Sequence, residues 1–212
     1  MKKLIVLFIV MMPIILSAQT HFGSVKVGMF DPGATSAGFI IGYEGGWVID
    51  DNFFVGLSAD WFNKNYVDQN LVAEFNDFYG PNSTLNELRA KTNLHAIPLM
   101  GSVNGSWPIA PRARAFVTAA AGIEVLLIFY RNYQNPSNDE FQGAFDFAWR
   151  LGAGAAYELG SRSDAFLELD YHYSQPSWQY NVTDPTTGNK KVFERKYDMS
   201  GITLRAGVRF YF

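Results

Sequence analysis

The stretch "GITLRAGVRFYF", Gly201 to Phe212, decides the fold. In an extended chain Ile202, Leu204, Ala206, Val208, Phe210 and Phe212 share one face. Gly201, Thr203, Arg205, Gly207, Arg209 and Tyr211 share the other. Alternation this strict, over this length, is the period of a β-strand with one apolar and one polar face.

The same period recurs upstream, in Ala165–Ser174, Phe145–Glu158, Ala115–Tyr130, Leu94–Trp107, Phe53–Phe62, Gly38–Ile49 and Phe22–Phe30. Most of these segments are about ten residues long, as a tilted strand crossing a bilayer requires. The connectors alternate in length. Asp50–Asn52, Pro108–Arg114 and Gly160–Asp164 are short. Asn63–Thr92, Arg131–Gly143 and Gln175–Met199 are long, and only Asp31–Ala37 breaks the pattern. The expected fold is all-β: an eight-stranded antiparallel up-and-down transmembrane β-barrel with short periplasmic turns and longer extracellular loops.

Polarity sets which face points inward. The apolar faces carry Leu, Ile, Val and Trp, and the opposite faces carry glycines and charges. A lipocalin-like barrel would enclose the apolar face and solvate the charged one. Reversing the faces either buries unmatched charge, at several kcal/mol or more for a lone charge, or exposes the Leu face to water. In lipid every backbone donor must be paired, so the sheet must close. An eight-stranded lumen is narrow enough to be filled by its own side chains. Lys26, Glu44, Asp60, Glu124, Arg150, Glu158, Glu168, Asp170, Arg205 and Arg209 are therefore expected to form a paired polar network inside it. Such a network is a structural plug or a gated ion path.

The first residues read "MKKLIVLFIVMMPIILSAQT". A basic start, an apolar run and the small residues Ser17 and Ala18 make an export signal over 1–18, leaving 19–212 as the barrel domain. The chain has no cysteine, which excludes disulfides and thiolate chemistry. Its formal net charge of −3 gives no reason to expect a nucleic-acid partner. Three scattered histidines argue against a zinc site, no phosphate-binding glycine loop occurs, and no cofactor is expected. The sequons at Asn82, Asn104 and Asn181 matter only in a eukaryotic secretory pathway.

The pieces "LSAQ", "AIPLMGSV", "RLGAGAAYELG", "LELDYHYS" and "AGVRFYF" resemble eight-stranded bacterial outer-membrane barrels, of the OmpA and OmpX type and the PorT-like barrel domain. The resemblance spans the mature chain and concerns architecture, not chemistry. It implies outer-membrane residence, contact with outer-membrane lipid and lipopolysaccharide, and reading of a terminal aromatic such as Phe212 by the barrel-assembly machinery. The "LSAQ" junction resembles exported proteins of Bacteroidetes-type bacteria.

His172-Tyr173-Ser174 also resembles the His-x-Ser of outer-membrane lipid A deacylases, in which an acid such as Glu194 or Asp198 would complete the set. A histidine beside a hydroxyl is the chemistry of an activated nucleophile. The alternation instead puts His172 and Ser174 on the inner face with Glu168 and Asp170, away from acyl chains. If the barrel is a scaffold, function moves to the loops. Thr84 and Glu87 have capping-box spacing in Asn63–Thr92. Gln175–Met199 carries Trp178, Tyr180 and Phe193 among Lys190, Lys191, Arg195 and Lys196, which suits lipopolysaccharide phosphates or a protein partner.

Overall fold

The computed structural model describes residues 21–67, 72, 91–131, 139–183 and 190–212. The expected export signal 1–18, the Thr84–Glu87 capping box and Asn82 lie outside the described residues. Among the described residues ten strands follow in order: β1 His21–Pro32, β2 Gly38–Val48, β3 Phe53–Val67, β4 Lys91–Ala110, β5 Ala113–Arg131, β6 Asp139–Gly160, β7 Ser163–Tyr173, β8 Ser177–Thr183, β9 Lys190–Lys196 and β10 Gly201–Tyr211. Eight of them close into an antiparallel barrel in the order β1-β10-β7-β6-β5-β4-β3-β2. Each of the eight alternating segments forms one of these strands.

The register fixes the geometry. A path crossing hydrogen-bonded neighbours runs from Phe22 through Gly46, Gly56, Ser102, Ala120, Arg150, His172 and Gly201, and returns to β1 at Pro32, ten residues on. A stagger of that size tilts the strands steeply against the barrel axis. His21 and Phe212 exchange backbone hydrogen bonds of 2.8 and 2.9 Å where the first and last barrel strands meet.

The turns at one end are built from local chemistry. Asp50 Oδ1 accepts from the backbone N–H of Asn52 at 2.7 Å and of Phe53 at 2.8 Å, the short-range capping that aspartate supplies in turns. Pro111 and Arg112 join β4 to β5, with Arg112 at a φ of 67°. Ser161 and Arg162 join β6 to β7.

At the other end the strands run further than the alternation indicated. β4, β5 and β6 have 20, 19 and 22 residues. Asn63–Val67, Lys91–Thr92 and Asp139–Gly143, expected as loop, belong to β3, β4 and β6. Cross-strand pairs such as Asn65 with Asn93 and Phe129 with Phe141 satisfy their backbone, while their mixed side chains carry no period of two. Gln175–Met199, expected as a long connector, contains β8 and β9, which pair as a separate hairpin.

Two apolar layers inside the lumen are the main departure from the expected polar interior. At the turn end Phe22, Phe54, Phe116 and Phe166 are buried. At the loop end Phe30, Ile40, Phe62, Leu94, Leu126, Ile128 and Ala144 pack with Tyr197 and Met199. Tyr197 N–H donates to Pro176 O and Met199 N–H to Ser174 O, which folds this segment over the barrel mouth. The polar groups lie between the two layers.

Outside, the polarity is reversed. Val27, Leu57, Leu99, Ile123, Leu151, Leu167, Leu169 and Ile202 are exposed. Aromatic pairs edge this belt. Phe53 meets Trp107, and the His21 and Phe212 rings stack, at the turn end. Trp149 packs against Tyr171 and Tyr173, and Trp61 against His95, at the loop end.

Phe62 has no exposed surface and sits edge-on to Phe30 at 5.1 Å. Phe62→Ala is expected to cost about 3–5 kcal/mol, the usual range for truncating a buried aromatic. Urea unfolding of the refolded chain in detergent measures it.

Candidate functional site

All the barrel strands contribute to the polar layer. Lys26 Nζ lies 2.6 Å from Glu44 Oε2 and 3.1 Å from Glu168 Oε2. Arg205 donates to Asp170 Oδ2 at 2.7 Å and to Asp60 Oδ1 at 3.1 Å, and it lies 3.2 Å from Glu168 Oε2. Arg150 takes the second oxygen of Asp60. Glu44 Oε1 accepts from Ser102 Oγ at 2.6 Å and Asn104 Nδ2 at 2.9 Å, and Thr118 donates on to Asn104. All these groups are buried. A charge so placed is tolerable only when paired. The fork of Arg205 does the most, since its two terminal nitrogens reach three carboxylates.

Glycines make the room. Gly42 is the register partner of Asp60, and Gly152 that of Asp170. A Cβ at Gly42 would overlap Asp60 Oδ1, and one at Gly152 would overlap Asp170 Oδ1. Each carboxylate therefore leans into the space left by a missing side chain on the next strand.

Of the residues expected in this network, Lys26, Glu44, Asp60, Arg150, Glu168, Asp170 and Arg205 come together. Three others do not join them. Arg209 lies in the lumen, but no carboxylate is at ion-pair distance from it among the described residues. Its guanidinium sits 5.3–5.8 Å from the ring centres of Phe22, Phe54, Phe116 and Phe166. The electron-rich ring faces take the place of a counter-ion. Glu158 has the inward parity but lies half-buried at the turn end, outside the network. Glu124 is not neutralised by an arginine; its Oε2 is 2.6 Å from His172 Nε2.

That contact decides what His172 does. The acid beside it is Glu124 on β5, not Glu194, which lies on β9 in the separate hairpin. His172 and Ser174 are both buried at the loop end and make no hydrogen bond to each other. The Phe30 ring stands edge-on to His172 at 5.5 Å. Phe30, Phe62, Ala96, Glu124, Arg150 and His172 line the narrow space here, beneath the apolar layer. Both side chains face the interior, as the alternation indicated.

Sequence reasoning missed Ser102, Asn104 and Thr118 as network members, and Asp164, whose Oδ2 accepts from Tyr211 Oη at 2.6 Å. Their inward parity was the available signal, since each shares it with a charged residue of its strand or of a paired one. Among the loop candidates, Trp178 pairs in register with Arg195 and Tyr180 with Phe193, while Lys191 pairs with Val182. Trp178, Tyr180, Lys191 and Arg195 thus share one face of the hairpin. Lys190, paired with Thr183, falls on the other.

No family model matches this chain, and no curated protein matches it in sequence. Its fold is that of solved bacterial barrels. A major outer membrane protein from Thermus thermophilus is similar at a TM-score of 0.62 and 14% identity, over 92% of this chain and 100% of that one. OprG from Pseudomonas aeruginosa gives a TM-score of 0.58 at 13% identity, over 92% and 96%. Neisserial surface protein A gives 0.53 at 12% identity, over 92% and 97%. The likeness is one of fold.

Arg205→Met is expected to leave Asp60, Glu168 and Asp170 short of a partner and to cost about 3–5 kcal/mol, as breaking a buried ion pair does. Gly152→Val is expected to prevent assembly of the barrel by displacing Asp170. Unfolding in detergent and the yield of folded barrel, respectively, check the two.

Proposed function

We propose that this chain is an integral β-barrel of the bacterial outer membrane, with a structural or surface-interaction role. The observation that carries the reading is the reversed polarity of the barrel. Paired charges fill the inside, and Leu, Ile, Val and Phe cover the outside. Water would solvate the opposite arrangement; a hydrocarbon layer suits this one. The solved barrels of the same fold are named as outer membrane proteins in two cases and as a surface protein in the third.

The apolar layers at both ends of the lumen favour a solid scaffold over a pore. Function then belongs to what stands outside the barrel. The β8–β9 hairpin sets aromatic and basic residue types, Trp178, Tyr180, Lys191 and Arg195, on one face. That combination suits lipopolysaccharide, whose phosphates attract the cations, or a protein partner at the cell surface.

Refolded protein is expected to migrate faster on a gel when unboiled than when boiled, because a closed barrel resists the detergent. Equal mobility would count against the reading. Leu169→Arg, which puts a cation on the middle of the belt, is expected to destabilise the barrel in lipid vesicles by about 2–4 kcal/mol. A cost near zero would mean that Leu169 faces water. Replacing Lys191 and Arg195 with glutamate is expected to weaken binding to lipopolysaccharide-containing vesicles severalfold and to leave folding unchanged.

A further inference from the structure

The apolar outer surface is not level around the barrel. On β1 and β3 the outward column turns polar at Asp31 and Asn63. β7 ends at Tyr173, paired with Trp149 of β6. Beyond Trp149 the β5–β6 ribbon continues without β7, while β4 still flanks β5, with His95 opposite Leu127 and Asn93 opposite Phe129. The ribbon's outward positions are Val125, Leu127 and Phe129, opposite Phe145, Gly143 and Phe141. Phe145 is 78% exposed and Phe141 57%. No outward residue of this ribbon from Ile123 to Phe129, or from Phe141 to Phe147, is charged. Phe141 stands eight residues past Trp149 on β6. That places it about 20 Å further along the barrel axis, at about 3.3 Å per residue and a tilt of about 40°.

The inner side of the same ribbon is already covered. Leu126, Ile128 and Ala144 pack into the loop-end layer with Tyr197 and Met199. On the outer side Phe129 meets only the edge of His95 at 5.6 Å and its neighbour Phe141 at 5.2 Å, and Phe145 stays largely exposed. Soluble surfaces seldom leave a contiguous apolar face of this kind in water.

We propose that the outer face of the β5–β6 ribbon is a second lipid-contact surface, so that the barrel leans toward β5 and β6 and membrane lipid climbs higher on this side than on β1. The inference rests on the reading of the barrel as membrane-embedded. It follows from continuity: the columns holding Phe145 and Phe129 are the same columns that carry the belt through Leu151 and Ile123, without a polar break. The register then ends with Arg131 opposite Asp139, residue types that suit a headgroup layer. The lean would also hold the loop-end segments close to the lipid surface.

The chain contains no cysteine, so single cysteines give unique labels. Phe145→Cys, Leu169→Cys and Asp31→Cys, each carrying an environment-sensitive fluorophore, are refolded as full chains into phosphatidylcholine vesicles. Folding is confirmed by gel mobility. Quenching is read with nitroxide on the lipid acyl chains and with iodide in the water. The label at 145 is expected to lose fluorescence to the lipid nitroxide as the label at 169 does and to resist iodide, while the label at 31 shows the reverse. If the label at 169 is not quenched by lipid, the membrane-embedded reading itself fails. If 169 is quenched by lipid but 145 is quenched only by iodide, the ribbon stands in water and the proposal is overturned. Shielding of 145 from both quenchers would also overturn it, since another chain would then cover the face.

Discussion

Backbone hydrogen bonds run unbroken around eight strands, and they return to β1 ten residues from where they began, at Pro32 instead of Phe22. Strand number and stagger together set the width of the interior. The lumen is then a volume to be filled, not a channel whose width is free. Lys26 on β1 meets Glu44 on β2 and Glu168 on β7 because the tilt brings distant positions of their strands to one level. A sheet with another stagger would part them.

Within that volume charge and shape are settled together. Arg205 is fully buried and holds three carboxylates, and Asp60 is shared between Arg205 and Arg150. Removing Arg205 leaves Asp170 without its cation, and removing Lys26 leaves Glu44 without one, in the buried interior. Gly42 and Gly152 are part of the same arrangement, because an alanine at either would meet a carboxylate oxygen. Arg209 shows a second solution to the same problem, four aromatic rings in place of an acid. His172 shows a third. It serves Glu124, the acid that lines the loop-end space, where the neighbouring side chains are mostly apolar.

The two ends of the barrel differ in what they can offer. The turn end is closed by short connections, the cap of Asp50 and the Arg209 cage. The loop end carries the long β4–β6 strands, the β8–β9 hairpin and the segment Tyr197–Met199 that folds over the mouth. On the proposed reading, interaction falls to the loop end of the molecule.

The eight strands, their apolar and polar faces and the inward set from Lys26 to Arg205 could be read from the sequence, because alternation is a local property that tertiary contacts only confirm. The inward direction of His172 and Ser174 was legible for the same reason. The long ends of β3, β4 and β6 were not, since their strand character comes from backbone pairing across the sheet and not from side-chain period. Nor were the β8–β9 hairpin and the apolar lid of Tyr197 and Met199, which depend on what packs above the barrel. The sequence alone determined which residues face inward. Only the tertiary structure decided which of them meet: Glu124 with His172, Arg209 with four phenylalanines, Asp60 with two arginines. Partnership depends on the stagger of the closed sheet, and the stagger is a sum over eight strands that no single segment contains.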